Sequence, residues 1–101
     1  MGWASQYIEQ LKTGATVEFR PRGNSMQPRI RSGQLCRVTP VPLGTEPQVG
    51  DVVLCRVRGS EYLHIVKAVQ EDRFQIGNNR GGINGWIGRS GIFGILVEVR
   101  P

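Results

Sequence analysis

Long apolar runs are missing from this 101-residue chain. No stretch approaches the roughly 20 consecutive apolar residues that span a bilayer as a helix. No basic segment followed by an apolar block marks a signal peptide either. The expectation is a cytoplasmic protein without a transmembrane segment. Cysteine is equally scarce. Cys36 and Cys55 are the only two, no CxxC pair is formed, and His64 is the single histidine. That excludes a disulfide framework and a zinc site of the usual spacing, so no metal and no cofactor is expected. The strand-like neighbours of both cysteines suit small buried thiols in a reducing compartment. Aromatic residues amount to 7% and are scattered, which argues against a stacking platform for single-stranded nucleic acid. Acids are in deficit, eight against thirteen Lys and Arg, for a net charge of +5. Such a balance attracts acidic partners, nucleic acid among them, without specificity. There is no continuous basic run and no helix-turn-helix pattern, so nucleic acid is the weaker expectation. The run Gly77-Asn78-Asn79-Arg80-Gly81-Gly82 lacks the Lys-Ser/Thr pair of a phosphate loop and the helix that follows one. No internal repeat is present.

What remains is the pattern of one small, mainly β domain. Residues 1–14 read as an N-terminal amphipathic segment. Trp3, Tyr7, Ile8 and Leu11 share one helical face, and Gly14 stops it. A helix so short must dock to persist, most simply on the sheet. Residues 15–101 read as strands and turns within the same structural unit. Strands are expected at 15–20, 34–41, 51–58, 61–69, 73–76 and 92–99. Gly59-Ser60 marks a hairpin turn between the third and fourth. Residues 78–86, rich in Asn and Gly, read as a loop. Such short strands imply a small coiled antiparallel sheet or partial barrel.

The segment Arg22-Gly23-Asn24-Ser25-Met26-Gln27-Pro28 carries the candidate chemistry. Ser25 follows a glycine turn and precedes a stretch that Pro28 could open as a helix. Free backbone N–H groups at such a turn suit a nucleophile with an oxyanion hole, and they equally suit an ordinary helix N-cap.

Gly23-Asn24-Ser25-Met26-Gln27-Pro28 resembles the Gly-x-Ser-Met-x-Pro nucleophile motif of the signal peptidases and the LexA-type self-cleaving SOS repressors. Further boxes follow in order. Val49-Gly50-Asp51-Val52-Val53 is similar to the family's Gly-Asp-x-Val box. Leu63 to Val69 falls where the family carries its general base, Phe74 to Asn79 resembles a strand and turn of the endoplasmic-reticulum branch, and Gly91-Ile92-Phe93-Gly94 resembles the closing segment. The resemblance spans about residues 15 to 99. It implies the LexA–signal peptidase fold and serine peptidase chemistry on an extended polypeptide. Ser25 would be the nucleophile, His64 the base, and the backbone N–H groups of Ser25 and Met26 the oxyanion donors. Lys67 is the alternative base, as in the Ser–Lys branch. His64 and Lys67 face opposite sides of a regular strand, so only one can reach Ser25 without a bulge.

The sequence also departs from that pattern. Gly77 stands where the turn carries an acid, Gln34 replaces the acid usual after Ser32-Gly33, and the nearest polar residue to a further expected Asp is Asn84. An Asn could orient an imidazole but stabilises its cation less than a carboxylate. No Ala-Gly or Cys-Gly cleavage site precedes Ser25, which argues against a self-cleaving repressor. Two functions stay open: a Ser–His peptidase, and an inactive member of the fold that binds a protein partner. Asn78, Asn79, Asn84 and Trp86 are the candidate contacts to substrate or partner, against a structural role with Trp86 as a core plug. The sequence carries no sign of the oligomeric state.

Overall fold

The computed structural model describes residues 2–101. One helix, α1 (Ser5–Lys12), is followed by seven strands: β1 (Val17–Phe19), β2 (Leu35–Thr39), β3 (Val52–Val57), β4 (Ser60–Gln70), β5 (Arg73–Gly77), β6 (Ile83–Gly88) and β7 (Ile92–Arg100). They form a single sheet in the order β1-β2-β7-β3-β4-β5-β6, with every pairing antiparallel. The domain is therefore mainly β with one short N-terminal helix. No described helix is long and apolar enough to cross a membrane.

The strands follow from alternation and from turn chemistry. Val17 and Phe19 are buried while Glu18 between them is exposed, so β1 shows the period of two expected for a strand with one covered face. β3 is buried on both faces. Val52 and Leu54 enter one apolar cluster with Ile8, Leu11, Phe19 and Met26, and Val53, Cys55 and Val57 enter a second with Phe74 and Ile76. Each such side chain stabilises the fold by about 1.5–3 kcal/mol. The β3–β4 hairpin turns at Arg58 and Gly59, with φ of 52° and 83°, so Val57 pairs with Ser60. Two left-handed residues give the turn whose twist matches the flanking strands. The turn therefore lies one residue earlier than expected, and Ser60 opens β4. Both cysteines are buried and free, and burial pushes the Cys55 thiol up to about 12.

Two expected features differ. Residues 83–88 are a strand rather than loop: β6 pairs with β5, Phe74 opposite Ile87 and Gln75 opposite Trp86. Gly85 hid it. Its φ is 144°, and a Cβ there would sit 3.3 Å from Val57 Cγ1, so glycine is needed at a position where an apolar residue would have completed the alternation. Trp86 is 39% exposed and so does not plug the core. The second difference is at Pro28, which opens no helix. Residues 24–30 make tight turns instead, in which Gln27 N–H donates to Asn24 O and Ile30 N–H to Met26 O.

The helix is held by one buried carboxylate. Ala4, Ile8 and Leu11 supply the apolar contact, and Glu61 on β4 supplies the polar one. Its side chain is 1% exposed. It accepts from Ala4 N–H at 2.7 Å, from Ser5 Oγ at 2.6 Å and from Arg56 Nη2 at 2.8 Å. Burial pushes this carboxyl up, but the bonds from Ser5, Arg56 and Ala4 outweigh it and hold the group below its ordinary value. Trp3 Nε1 donates to the Glu61 carbonyl at 3.0 Å, and a side chain at Gly2 would collide with the carboxylate.

Candidate active site

Ser25 lies in the turn segment between β1 and β2, next to Met26, whose buried side chain anchors that segment in the core. A second tether comes from the β5–β6 connection. Asn79 N–H donates to Ser25 O at 2.8 Å, and Asn79 Nδ2 donates to Gln27 O at 3.1 Å. Asn78 closes its own loop, accepting on Oδ1 from Arg80 N–H and Gly82 N–H, both at 2.8 Å. These two asparagines shape the connection and fasten it to the Ser25 segment.

His64 sits on β4 beyond the point where β5 stops. The β4–β5 pairing begins at Ile65 opposite Gly77, so the Ser60–His64 half of β4 has β3 on one side and no strand on the other. Ser25 approaches from that free edge, and its Oγ lies 3.2 Å from His64 Nε2. On the far side of the ring, His64 Nδ1 lies 2.7 Å from Asn84 Oδ1. An amide oxygen can only accept, so Nδ1 carries the hydrogen and donates to Asn84. Nε2 of the neutral ring is then the acceptor for the Ser25 hydroxyl. Tyr62, two residues back on the same face of β4, stacks on the imidazole at 4.8 Å between centroids. Burial lowers the pKa of His64 and the Asn84 bond partly offsets that, with a net shift downward. The ring is thus uncharged at neutral pH and free to take a proton.

Among the described residues, the backbone N–H groups of Ser25 and Met26 donate to no protein acceptor. They are available to a developing negative charge beside Ser25 Oγ. A cleft of about 670 Å3 opens in front of the pair. Phe19, Met26, Ile30 and Leu63 form its apolar floor, Trp3 and Tyr7 of the N-terminal segment form one wall, and Arg20, Arg22 and Arg31 stand at its mouth. Tyr7 stacks on Phe19 at 4.7 Å and Trp3 meets the same ring edge-on at 5.5 Å. Residues 19–22 and the free half of β4 both line the cleft. The Glu61 carbonyl that receives the Trp3 indole points away from β3, so by strand alternation the backbone of Leu63 faces the cleft as well.

Of the residues singled out from sequence, Ser25, His64 and Asn84 come together in one hydrogen-bonded chain. Lys67 is not in it. A register shift between Val66 and Ala68 bulges the strand at Lys67, and this residue does not line the cleft. Trp86 is likewise outside the cleft lining. Trp3, which the sequence offered as an anchor for a partner side chain, does line the cleft, whereas the arginine mouth went unnoticed, although Arg20, Arg22 and Arg31 recur within twelve residues that contain no acid. Among the described residues no cluster of His, Cys, Asp and Glu is arranged to hold a metal. No family model and no curated protein matches the chain.

Proposed function

We propose that this chain is a serine peptidase of the signal peptidase and SOS-repressor type, acting on an extended polypeptide. The observation that carries the reading is the Ser25–His64–Asn84 hydrogen-bonded chain, with two unpaired amides beside the hydroxyl. The single antiparallel sheet with a docked N-terminal helix, and the order of the sequence boxes, support it. In the first half-reaction Ser25 Oγ bonds to the scissile carbonyl carbon and its proton passes to His64 Nε2. The oxyanion forms at the Ser25 and Met26 amides. The C–N bond then breaks, His64 returns the proton to the leaving amine, and an ester to Ser25 remains. Water repeats the sequence: its oxygen bonds to the ester carbon while its proton passes to His64 Nε2, and the bond to Ser25 Oγ then breaks as His64 returns the proton to that oxygen, releasing the acid. Asn84 holds the ring and its tautomer throughout. The substrate backbone would lie along the free edge of β4, with a side chain on the apolar floor.

A second reading, an inactive member of the fold that binds a protein partner, is favoured by one observation: the group behind His64 is an amide rather than a carboxylate. Reaction with a fluorophosphonate probe separates the two. The peptidase reading expects stoichiometric labelling of Ser25 and none in Ser25→Ala or His64→Ala proteins that melt like the wild type. A folded wild type that stays unlabelled sinks it.

A further inference from the structure

Chemistry at Ser25 does not select a polypeptide; the walls around it do. Arg20, Arg22 and Arg31 line the same cleft as Ser25 and His64, and all three are exposed. Among the described residues none of them forms an ion pair, whereas Arg37, Arg56, Arg89 and Arg100 are each matched with a glutamate. Arg20 is steadied by donating from Nη1 to Gly33 O at 2.8 Å. The one acid in the lining is Glu61. Its carboxylate is buried and already engaged by Ala4, Ser5 and Arg56, so it does not neutralise the mouth. Three uncompensated guanidinium groups therefore border a floor of apolar side chains. Like charges held together repel, and an anion seated among them relieves that repulsion.

We infer that the preferred substrate segment carries a bulky apolar side chain flanked by Asp or Glu. This inference rests on the peptidase reading and names its substrate class. The apolar side chain lies on Phe19, Met26, Ile30 and Leu63, and the flanking carboxylates meet the arginines. The planar guanidinium matches a carboxylate through two parallel N–H···O bonds, which lysines in the same places would not provide. A nucleic acid is the poorer fit. Single-strand binding needs rings that are free to stack on bases, and here Tyr7 and Phe19 are stacked on each other.

The test uses the full chain with Ser25→Ala, so that binding is read without turnover. Three fluorescein-labelled extended peptides share a central Leu and carry Glu, Gln or Lys on both sides of it. Anisotropy should rank them Glu tightest and Lys weakest, with about fivefold in Kd for each carboxylate–arginine pair gained. The spread should shrink in about 0.5 M salt, where screening acts within a few ångströms. Combining Arg22→Glu with Arg31→Glu should reverse the order in favour of the Lys peptide. Both side chains are exposed and unpaired, so the fold should persist, and Arg31→Gln is the milder variant if it does not, with a narrowed ranking expected. Equal affinities for the Glu and Lys peptides, a ranking indifferent to these substitutions, no binding of any peptide, or binding of an oligothymidylate in their place each overturn the inference. Probe labelling of the wild type is read alongside. Acid preference without labelling removes the catalytic reading alone, and labelling without acid preference removes the inference alone.

Discussion

Replacing Asn84 by Asp tests the chain of hydrogen bonds at its least conventional member. The change is isosteric and keeps an acceptor 2.7 Å from His64 Nδ1, but it places a negative charge behind the ring. With charge centres about 4 Å apart and an effective dielectric near 20, the attraction between carboxylate and imidazolium is about 4 kcal/mol. Asn84 is only half-buried, so solvent weakens this, and a rise of about one to two pH units in the His64 pKa is expected. In the wild type burial holds that pKa below the ordinary imidazole value. The acid limb of Ser25 labelling should therefore have its midpoint below about pH 6.5. In Asn84→Asp the acid limb should move to higher pH. The plateau should rise by about ten- to a hundredfold, because the imidazolium formed during attack then has a partner. Asn84→Ala should move the plateau the other way, by about ten- to a hundredfold, since nothing then fixes the tautomer. His64 is the only histidine, so nitrogen-15 imidazole spectra report its tautomer and titration without assignment. The same titration fixes a stability trend: a pKa lowered in the folded state gives stability that is whole above about pH 6.5, the unfolded value, and is lost as pH falls through the folded value. A His64 pKa unmoved by Asn84→Asp, or labelling rates indifferent to both substitutions, would falsify the assignment of Asn84.

Three further outcomes are expected. Glu61→Ala should cost about 2–3 kcal/mol, less than a fully buried pair because Arg56 can turn to solvent. It should lower the melting temperature by about 10–20 °C and free α1 to exchange its amides, and an unchanged melt would show that the carboxylate does not hold the helix. The pKa of Glu61 is lowered in the fold, so its contribution is complete above the unfolded carboxylate value and lost as pH falls through the folded one; acid titration of the melt should show that loss in the wild type and not in Glu61→Gln. Asn79→Ala should cost about 1 kcal/mol and slow labelling of Ser25 more than it lowers stability, because the Ser25 segment loses a side-chain tether while the backbone bond from Asn79 to Ser25 remains; equal losses in both would make the contact merely structural.

Much of the sheet was legible because burial and alternation coincide. Val17-Glu18-Phe19 and the apolar run Val52 to Cys55 announce their strands without help. β6 was not legible, since Asn84 and Gly85 interrupt the alternation and the reason for Gly85 is Val57, far away in the chain. The nearness of Ser25 and His64 could be anticipated only through the resemblance, because no local pattern says that β4 has a free edge there. Asn84 was noticed as a polar residue able to orient an imidazole, but its position behind His64 depends on the β5–β6 pairing. Lys67 was harder still. A bulge changes which face a residue takes, and bulges follow from the partner strand as much as from the strand itself. The two bonds from Asn79 to the Ser25 segment join positions more than fifty residues apart, and nothing near either end signals them.

The order of the strands has a consequence for biosynthesis. β7 lies between β2 and β3, yet it is the seventh strand to leave the ribosome. Until residues 92–100 emerge, β1–β2 and β3–β6 have no seam, and the apolar faces of β2 and β3 lack the neighbour that completes the sheet. Ser25 belongs to the first piece and His64 to the second. A nascent chain halted before β7 would hold Ser25 and His64 in two pieces of sheet that share no strand pairing, each with an unpaired edge that invites aggregation. The same seam makes the protein a natural two-part system. A fragment ending before β7 and a peptide bearing residues 92–100 should regain probe labelling only when mixed, at the slow rate that non-local strand pairing imposes.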